Sequence, residues 1–344
     1  MSADVSGPRL ELTRAQVLAY RRSVNALDER LPPGPESLRR AAWAGLQDSM
    51  PRAALVSIHA RVEGTQPSTW EDPSLVQLWG PRFSAYVVAA RDIAAFTLGR
   101  LPDIEKDRRF AEAMATSLHE YLGGRRMTYG EAGHGLGVHP NSFRYGAPTG
   151  RILMRWDGAR QPTVWTVPPP DMDPAEARFE LARRFLHVFG PSTPAAFAQW
   201  AGIKPPRGRA AFEALGGSLA PVRTPIGEGW ILAEDEAAFL APRGPLGGPR
   251  LLPSGDTYWL SWGADRELLV PAPERRVELW TPRVWPGGLL VGGELSGTWR
   301  RADAKLEIIP WRRCSPAERD AVQAEAESLP LPGVEGRMQV RWVE

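Results

Sequence analysis

The chain has one cysteine, Cys314, and its only lysines are Lys106, Lys204 and Lys305. A single thiol excludes an intrachain disulfide framework and a zinc site built on several thiolates. The histidines, His59, His119, His134, His139 and His187, form no HExxH pattern. His134 and His139 stand among glycines at a poor spacing for metal ligands, so no metal or other cofactor is expected. No apolar run reaches the ~18 residues of a membrane span, and the start of the chain lacks a signal-peptide core. A cytoplasmic protein with no membrane partner is the expectation. Excess charge is missing too: 42 basic against 40 acidic residues leave a net charge of +2, which excludes a uniformly basic nucleic-acid coat.

Arginine is abundant and supplies nearly all the positive charge. Its planar fork suits phosphates and guanine edges, although a GC-rich coding bias accounts for the same skew without any function. A hydrophobic content of 43% and a charged content of 24% are ordinary for a globular protein. A chain of 344 residues is too long for one core, so about two to four modules are expected.

Residues 43–64, WAGLQDSMPRAALVSIHARVEG, are the most informative stretch. Apolar spacing predicts one helix over 36–47 and another over 50–63, with Pro51 in a first turn and Gly64 as a stop. Between them lies a polar corner, Gln47-Asp48-Ser49, beside the positive end of a helix dipole. Such a corner holds a water or faces an anion; equally, Asp48 or Ser49 is a plain helix cap. Gln47 has no ionisable proton and serves only to orient a water or a base edge.

One pattern recurs three times: helices, then a short hairpin. The first unit is read over 9–100, with helices near 13–28, 36–47 and 50–63 and strands at Leu75–Trp79 and Phe83–Val88. The second, 101–170, has helices near 105–122, 128–134 and Asn141, and a hairpin of 152–156 and 163–167 opened by Asp157-Gly158. The third, 171–245, starts at Pro174, with later helices at 194–200 and 207–215 and a hairpin across Gly227-Glu228-Gly229. Residues 246–344 read as a β-rich module whose segments include ELLVP, closed by a helix from Pro316 that Ser315 caps. Asp256, Asp265 and Arg266 read as turn and ion-pair residues. The class is therefore α+β: three tandem winged-helix units and a β-rich C-terminal module. The third helices carry Arg52 and His59, Asn141 and Arg144, and Arg207 and Arg209, residue types that read base edges and phosphates; Arg300 adds a cation in the C-terminal module. The alternative is that these are solvated faces of protein-binding winged helices.

The segments AGLQDSMPRAALVSIHARVEG, LVQLWGPRFSAYVVAARDIAAF, ARRFLHVFGPSTPAAFAQWAGI and RLLPSGDTYWLSWGADRELLVP through GGELSGTWRR resemble the winged-helix DNA glycosylases typified by AlkZ and YcaQ. That resemblance implies tandem winged helices cradling double-stranded DNA that is alkylated or crosslinked, and release of bulky or crosslinked N7-alkylpurines by a monomer working at the nucleoid. The family's Gln-aliphatic-Gln or Gln-aliphatic-Asp signature falls on Gln47-Asp48-Ser49: the first glutamine is kept, Asp48 takes the spacer position and Ser49 that of the second functional residue. Where the family tends to read Arg-Gly-Thr-Leu-His, this chain has Arg82-Phe83-Ser84-Ala85-Tyr86, keeping Arg82 and placing Tyr86 at the histidine. The resemblance thus implies Gln47, Asp48 and Ser49 as catalytic candidates, with Arg82 and Tyr86 among the DNA contacts. A binder of damaged or regulatory DNA that lost the chemistry, and a protein-interaction scaffold, are the alternative readings.

Overall fold

Side-chain caps set many of the helix starts. Thr13 with Gln16, Thr128 with Glu131 and Ser315 with Glu318 form reciprocal capping boxes, and Asp173 and Thr193 cap helices whose next residue is proline. The computed structural model describes residues 10–158, 160–241, 244, 247–332 and 337–343. The expected boundaries at 9, 245, 246 and 344 lie outside the described residues.

Strand β1 (Leu10–Glu11) and helix α1 (Arg14–Val24) come first, then α2 (Pro35–Ala41), β2 (Leu46–Gln47), α3 (Ala53–Arg61) and the hairpin β3 (Leu75–Trp79) and β4 (Ala85–Ala89). A short α4 (Ile93–Thr97) leads to α5 (Glu105–Leu122), β5 (Met127–Thr128), α6 (Tyr129–Leu136) and the hairpin β6 (Ile152–Arg155) and β7 (Thr163–Thr166). Helices α7 (Pro174–Phe189), α8 (Pro194–Ala201) and α9 (Pro205–Leu215) precede β8 (Leu219–Thr224), β9 (Gly227–Leu232) and α10 (Glu236–Leu240). The C-terminal module holds β10 (Arg250–Leu252), α11 (Asp265–Leu269), α12 (Pro273–Leu279), β11 (Gly287–Val291), β12 (Glu294–Ala302), β13 (Lys305–Pro310), α13 (Pro316–Glu327) and β14 (Gln339–Trp342).

The class is α+β, as expected. Three small sheets, ordered β2-β4-β3, β5-β7-β6 and β1-β8-β9, accompany three sets of helices, and a five-stranded sheet β10-β11-β12-β13-β14 follows. β1 runs parallel to β8, and Leu12, Val17 and Tyr20 share a core with Val222, Ile231 and Phe239. The chain start, read with the first unit, therefore packs into the third. Tyr86 and Phe96 of the first unit share another core with Phe185, Trp200 and Phe212 of the third.

Three local expectations change. The helix expected over 36–47 stops at Ala41, and Leu46 and Gln47 instead pair with Val87 and Tyr86 of β4. Gly45 makes that break: its φ is +72°, and a Cβ there would stand 2.9 Å from the Phe96 ring and 3.0 Å from Tyr86. The ELLVP segment, read as strand, is helical over Asp265–Leu269, because its apolar pair Leu268 and Leu269 is buried on one side of a turn that follows Gly263. Residue Asn141 lies in a 3₁₀ segment, Pro140–Tyr145, rather than an α-helix.

The C-terminal module is bolted to the first unit through α3. Arg61 forks onto Asp256, with Nη1···Oδ2 and Nη2···Oδ1 both 2.8 Å, and the two side chains are 1% and 0% exposed. Ser57 donates to the same carboxylate at 2.6 Å and the Tyr258 amide at 2.9 Å. Breaking one side of such a pair strands a buried charge without its counter-ion. Asp256→Ala should lower unfolding stability by about 3–5 kcal/mol in chemical denaturation; a loss below about 1 kcal/mol would contradict this role.

Candidate active site

Strand pairing, not a helix end, presents Gln47. Its backbone lies opposite Tyr86, and the next amide, of Asp48, donates to the Ala85 carbonyl at 2.8 Å. The Gln47 Nε2 donates to Ser49 Oγ at 3.1 Å. Its Oε1 is covered and has no hydrogen-bond partner. The cover is Gly255 of the C-terminal module, at φ +72°, where a Cβ would stand 3.2 Å from the Gln47 amide carbon. A side chain at that φ would be strained and would press the Gln47 amide aside. Ser49 and Met50 are exposed beside it.

Asp48 is occupied. It is buried at 4% exposure; Oδ1 accepts from the Ala54 amide of α3 at 2.9 Å, and Oδ2 from Gln77 Nε2 at 2.6 Å. Gln77 is itself oriented by the Trp156 amide, which donates to its Oε1 at 2.5 Å. This chain of bonds ties the hairpin of the second unit to the corner of the first. Gly158 completes the tie: at φ +83° its backbone lies against Pro51, where a Cβ would meet the Pro51 Cβ at 2.6 Å. Burial pushes the Asp48 pKa up to about 6, opposed by the Ala54 amide, Arg52, Gln77 and Arg155.

Arginines and aromatic rings surround this corner. Arg52, at φ +63°, lays its guanidinium 4.1 Å from the centre of the Trp70 ring, and Arg155 stands 3.8 Å from the same ring. Arg82 lies 4.1 Å over Trp262. On the other side, Met50, Pro51, Ser254, Trp285, Trp299 and Arg300 line a hollow of about 300 Å³. A larger hollow of about 430 Å³, lined by Phe83, Ile104, Phe110 and Tyr145 among others, contains none of the corner residues.

The remaining expected contacts separate. Asn141 and Arg209 are exposed, and Arg144 is half-buried against Tyr145, to whose hydroxyl it donates at 3.2 Å. Arg300 is exposed and donates to the Val284 carbonyl at 2.9 Å. Three expectations fail. Tyr86 has no exposed surface; its ring fills the space between Gly45 and Gly80, so it reaches no DNA, and burial pushes its pKa up to about 12. Arg207 is spent on the Asp103 carboxylate and the Leu101 carbonyl, leaving its side chain 11% exposed. His59, expected on a reading face, is buried between Arg30 and Ser328. Sequence reading missed Gln77, Trp70, Arg155, Trp262 and Gly255. Only the density of tryptophans between 258 and 285 hinted at the last of these groupings.

The chain matches the family model described as DNA glycosylase AlkZ-like over residues 40–330. It superposes on the solved structure of Streptomyces sahachiroi DNA glycosylase AlkZ with a TM-score of 0.77 at 20% identity, covering 97% of this chain and 100% of that one. No curated protein sequence matches it. Among the described residues no helix is long and apolar enough to cross a membrane, and no cluster of three His, Cys, Asp or Glu side chains is placed to hold a metal.

The Asp48 environment has a pH signature. Its pKa is higher in the fold than in the unfolded chain, so its proton stabilises the native state fully below about pH 4, and that contribution disappears as pH rises through about 6. The stability of wild type relative to Asp48→Asn should therefore fall between pH 4 and 6, measured by denaturant unfolding. A pH-independent difference would contradict the burial assigned to this carboxyl.

Proposed function

The chain belongs to the AlkZ-like DNA glycosylase family, and from that premise we propose that it hydrolyses the N-glycosidic bond of bulky or crosslinked N7-alkylpurines in duplex DNA, acting as a monomer. The observation that carries this reading is the Gln47 carbonyl. It is an acceptor with no donor among the described residues, on a strand end fixed by β4, Ser49 and Gly255. Buried acceptors are rarely left unpaired, and leaving one costs about 1–3 kcal/mol.

The chemistry asks little of the protein. A guanine alkylated at N7 leaves without further protonation, because it is already cationic. The enzyme then needs to place a water against the sugar carbon as positive charge develops there. The Gln47 carbonyl orients that water and the Ser49 hydroxyl holds its second side; as the C–O bond forms and the neutral alkylguanine departs, the proton the water sheds passes to solvent at the exposed Ser49 edge. Turning the amide from under Gly255 gives up the bond to Ser49, a cost of about 1 kcal/mol. Asp48 is not the proton acceptor in this scheme: both oxygens are engaged, and it holds the corner in place. Arg52, Arg82, Arg144, Arg209 and Arg300 serve the DNA backbone, and the three helix–sheet units act as winged helices around the duplex. The hollow beside Met50, walled by Trp285 and Trp299, gives a large adduct room that a tight base pocket would not.

The engagement of Asp48 favours one other reading, a binder of damaged DNA without chemistry. Release of N7-alkylguanine from alkylated duplex separates the two. Wild type should release it, and Gln47→Ala should lower the single-turnover rate by about 100-fold or more while keeping DNA affinity. Equal rates for the two proteins would reject Gln47, and no release by wild type would select the binder.

A further inference from the structure

Three buried arginines pair with carboxylates, Arg22 with Asp28, Arg61 with Asp256 and Arg184 with Asp92, while the buried Arg100 and Arg250 donate to backbone carbonyls. Arg82 and Arg266 are half-buried. Neither makes an ion pair with any described residue. Arg82 makes no side-chain hydrogen bond to a described residue either, and its Nη1 is covered and unpartnered among them. The backbone is strained to put it there: Arg82 and Phe83 both have positive φ, 54° and 58°, at the tip between β3 and β4. Non-glycine residues in that region cost about 1 kcal/mol or more each. Gly202 packs against the tip, where a Cβ would stand 2.9 Å from the Arg82 nitrogen.

Arg266 is held from the other side. Its Nε donates to the Ser261 carbonyl at 2.9 Å, and its guanidinium lies 4.8 Å from the Trp280 ring centre and 5.6 Å from that of Trp285. Its terminal nitrogens have no hydrogen-bond acceptor among the described residues. Arg82 rests on Trp262, in the same segment. Burial and then the Arg82 charge weaken the hold of Arg266 on its proton, so the two cations feel each other. Two partly desolvated like charges with unmatched donors are a cost to the fold that an anion offsets. The segment 253–266 and the β3–β4 hairpin carry this pair, and the same two elements carry Gly255 and the strand that pairs with Gln47.

We propose that Arg82 and Arg266, with the Trp262 ring as floor, form the seat for one backbone phosphate of the DNA strand presented to Gln47. The seat rests on the glycosylase reading for its ligand. Arginine forks match phosphate oxygens, and a ring beside them offers a surface for the adjoining sugar.

The test uses the full chain and a duplex carrying a single abasic analogue, in which one phosphate at a time on each side of that analogue is replaced by a neutral methylphosphonate. Wild type should lose about tenfold in affinity at one position and little at the others. Arg266→Gln should lose a similar factor on the unmodified duplex, become insensitive to that position, and bind with a log–log salt slope smaller by about one. Arg266→Lys should recover part of the affinity. If Arg266→Gln fails to melt cooperatively, Arg82→Gln replaces it in the same assay with the same expectation. Unchanged affinity and slope in a variant, on a duplex that wild type binds, would overturn the seat and leave the glycosylase reading standing. Failure of wild type to bind any duplex at low salt would overturn both. Inorganic phosphate that quenches tryptophan fluorescence at micromolar concentration and displaces the duplex would reassign the seat to a free anion.

Discussion

The site depends on one buried ion pair. Arg61 and Asp256 meet with two 2.8 Å bonds in a place that water does not reach. Two charges leave water only at considerable cost, and that cost is met here by satisfying the carboxylate completely, with the Ser57 hydroxyl and the Tyr258 amide adding to the arginine fork. The consequence is positional. Helix α3 comes from the first unit and residues 253–262 from the last module, and the pair makes them one body. Gly255 precedes Asp256 directly, so the pressure of its backbone on Gln47 follows from the same bond.

A second set of bonds works outward from that body. Asp48 joins the start of α3 to Gln77 on β3, and Gln77 joins both to Trp156 of the second unit. Each member has one orientation that satisfies its neighbours. The Trp156 amide can only donate, which leaves the Gln77 amino group facing Asp48 and requires an acceptor there. The aspartate that chemistry would use is consequently used by architecture, and the one side chain of the corner left with an unmatched acceptor is the glutamine. Around it the arginines lie on rings, Arg52 and Arg155 on Trp70 and Arg82 on Trp262, which keeps their forks extended at low entropic cost.

Much of this was legible from the chain alone because it is local. Asp157-Gly158 between β-rich runs forms the hairpin it announces, and Pro174 and Ser315 begin helices where their backbone preferences place them. What was not legible is set at long range. Gly45 ends a helical pattern because Phe96 and Tyr86 leave no room for a Cβ, and Phe96 is far along the sequence. Tyr86 sits in a strand buried along most of its length, so its position in a motif said nothing about exposure. Arg207 is indistinguishable from the exposed Arg209 until Asp103 is brought beside it. Asp48 had two readings, cap or catalyst, and only the positions of Ala54 and Gln77 decide between them.

On the proposed reading, the scaffold aims the Gln47 amide at a deoxyribose. The most direct measurement is a crystal structure of the chain on a duplex carrying a cationic azaribose at the lesion position. The account predicts the Gln47 side chain turned out from under Gly255, within hydrogen-bond distance of a water on the sugar face, with Arg61 and Asp256 still paired. A sugar docked elsewhere, with the Gln47 carbonyl still covered by Gly255, would contradict it.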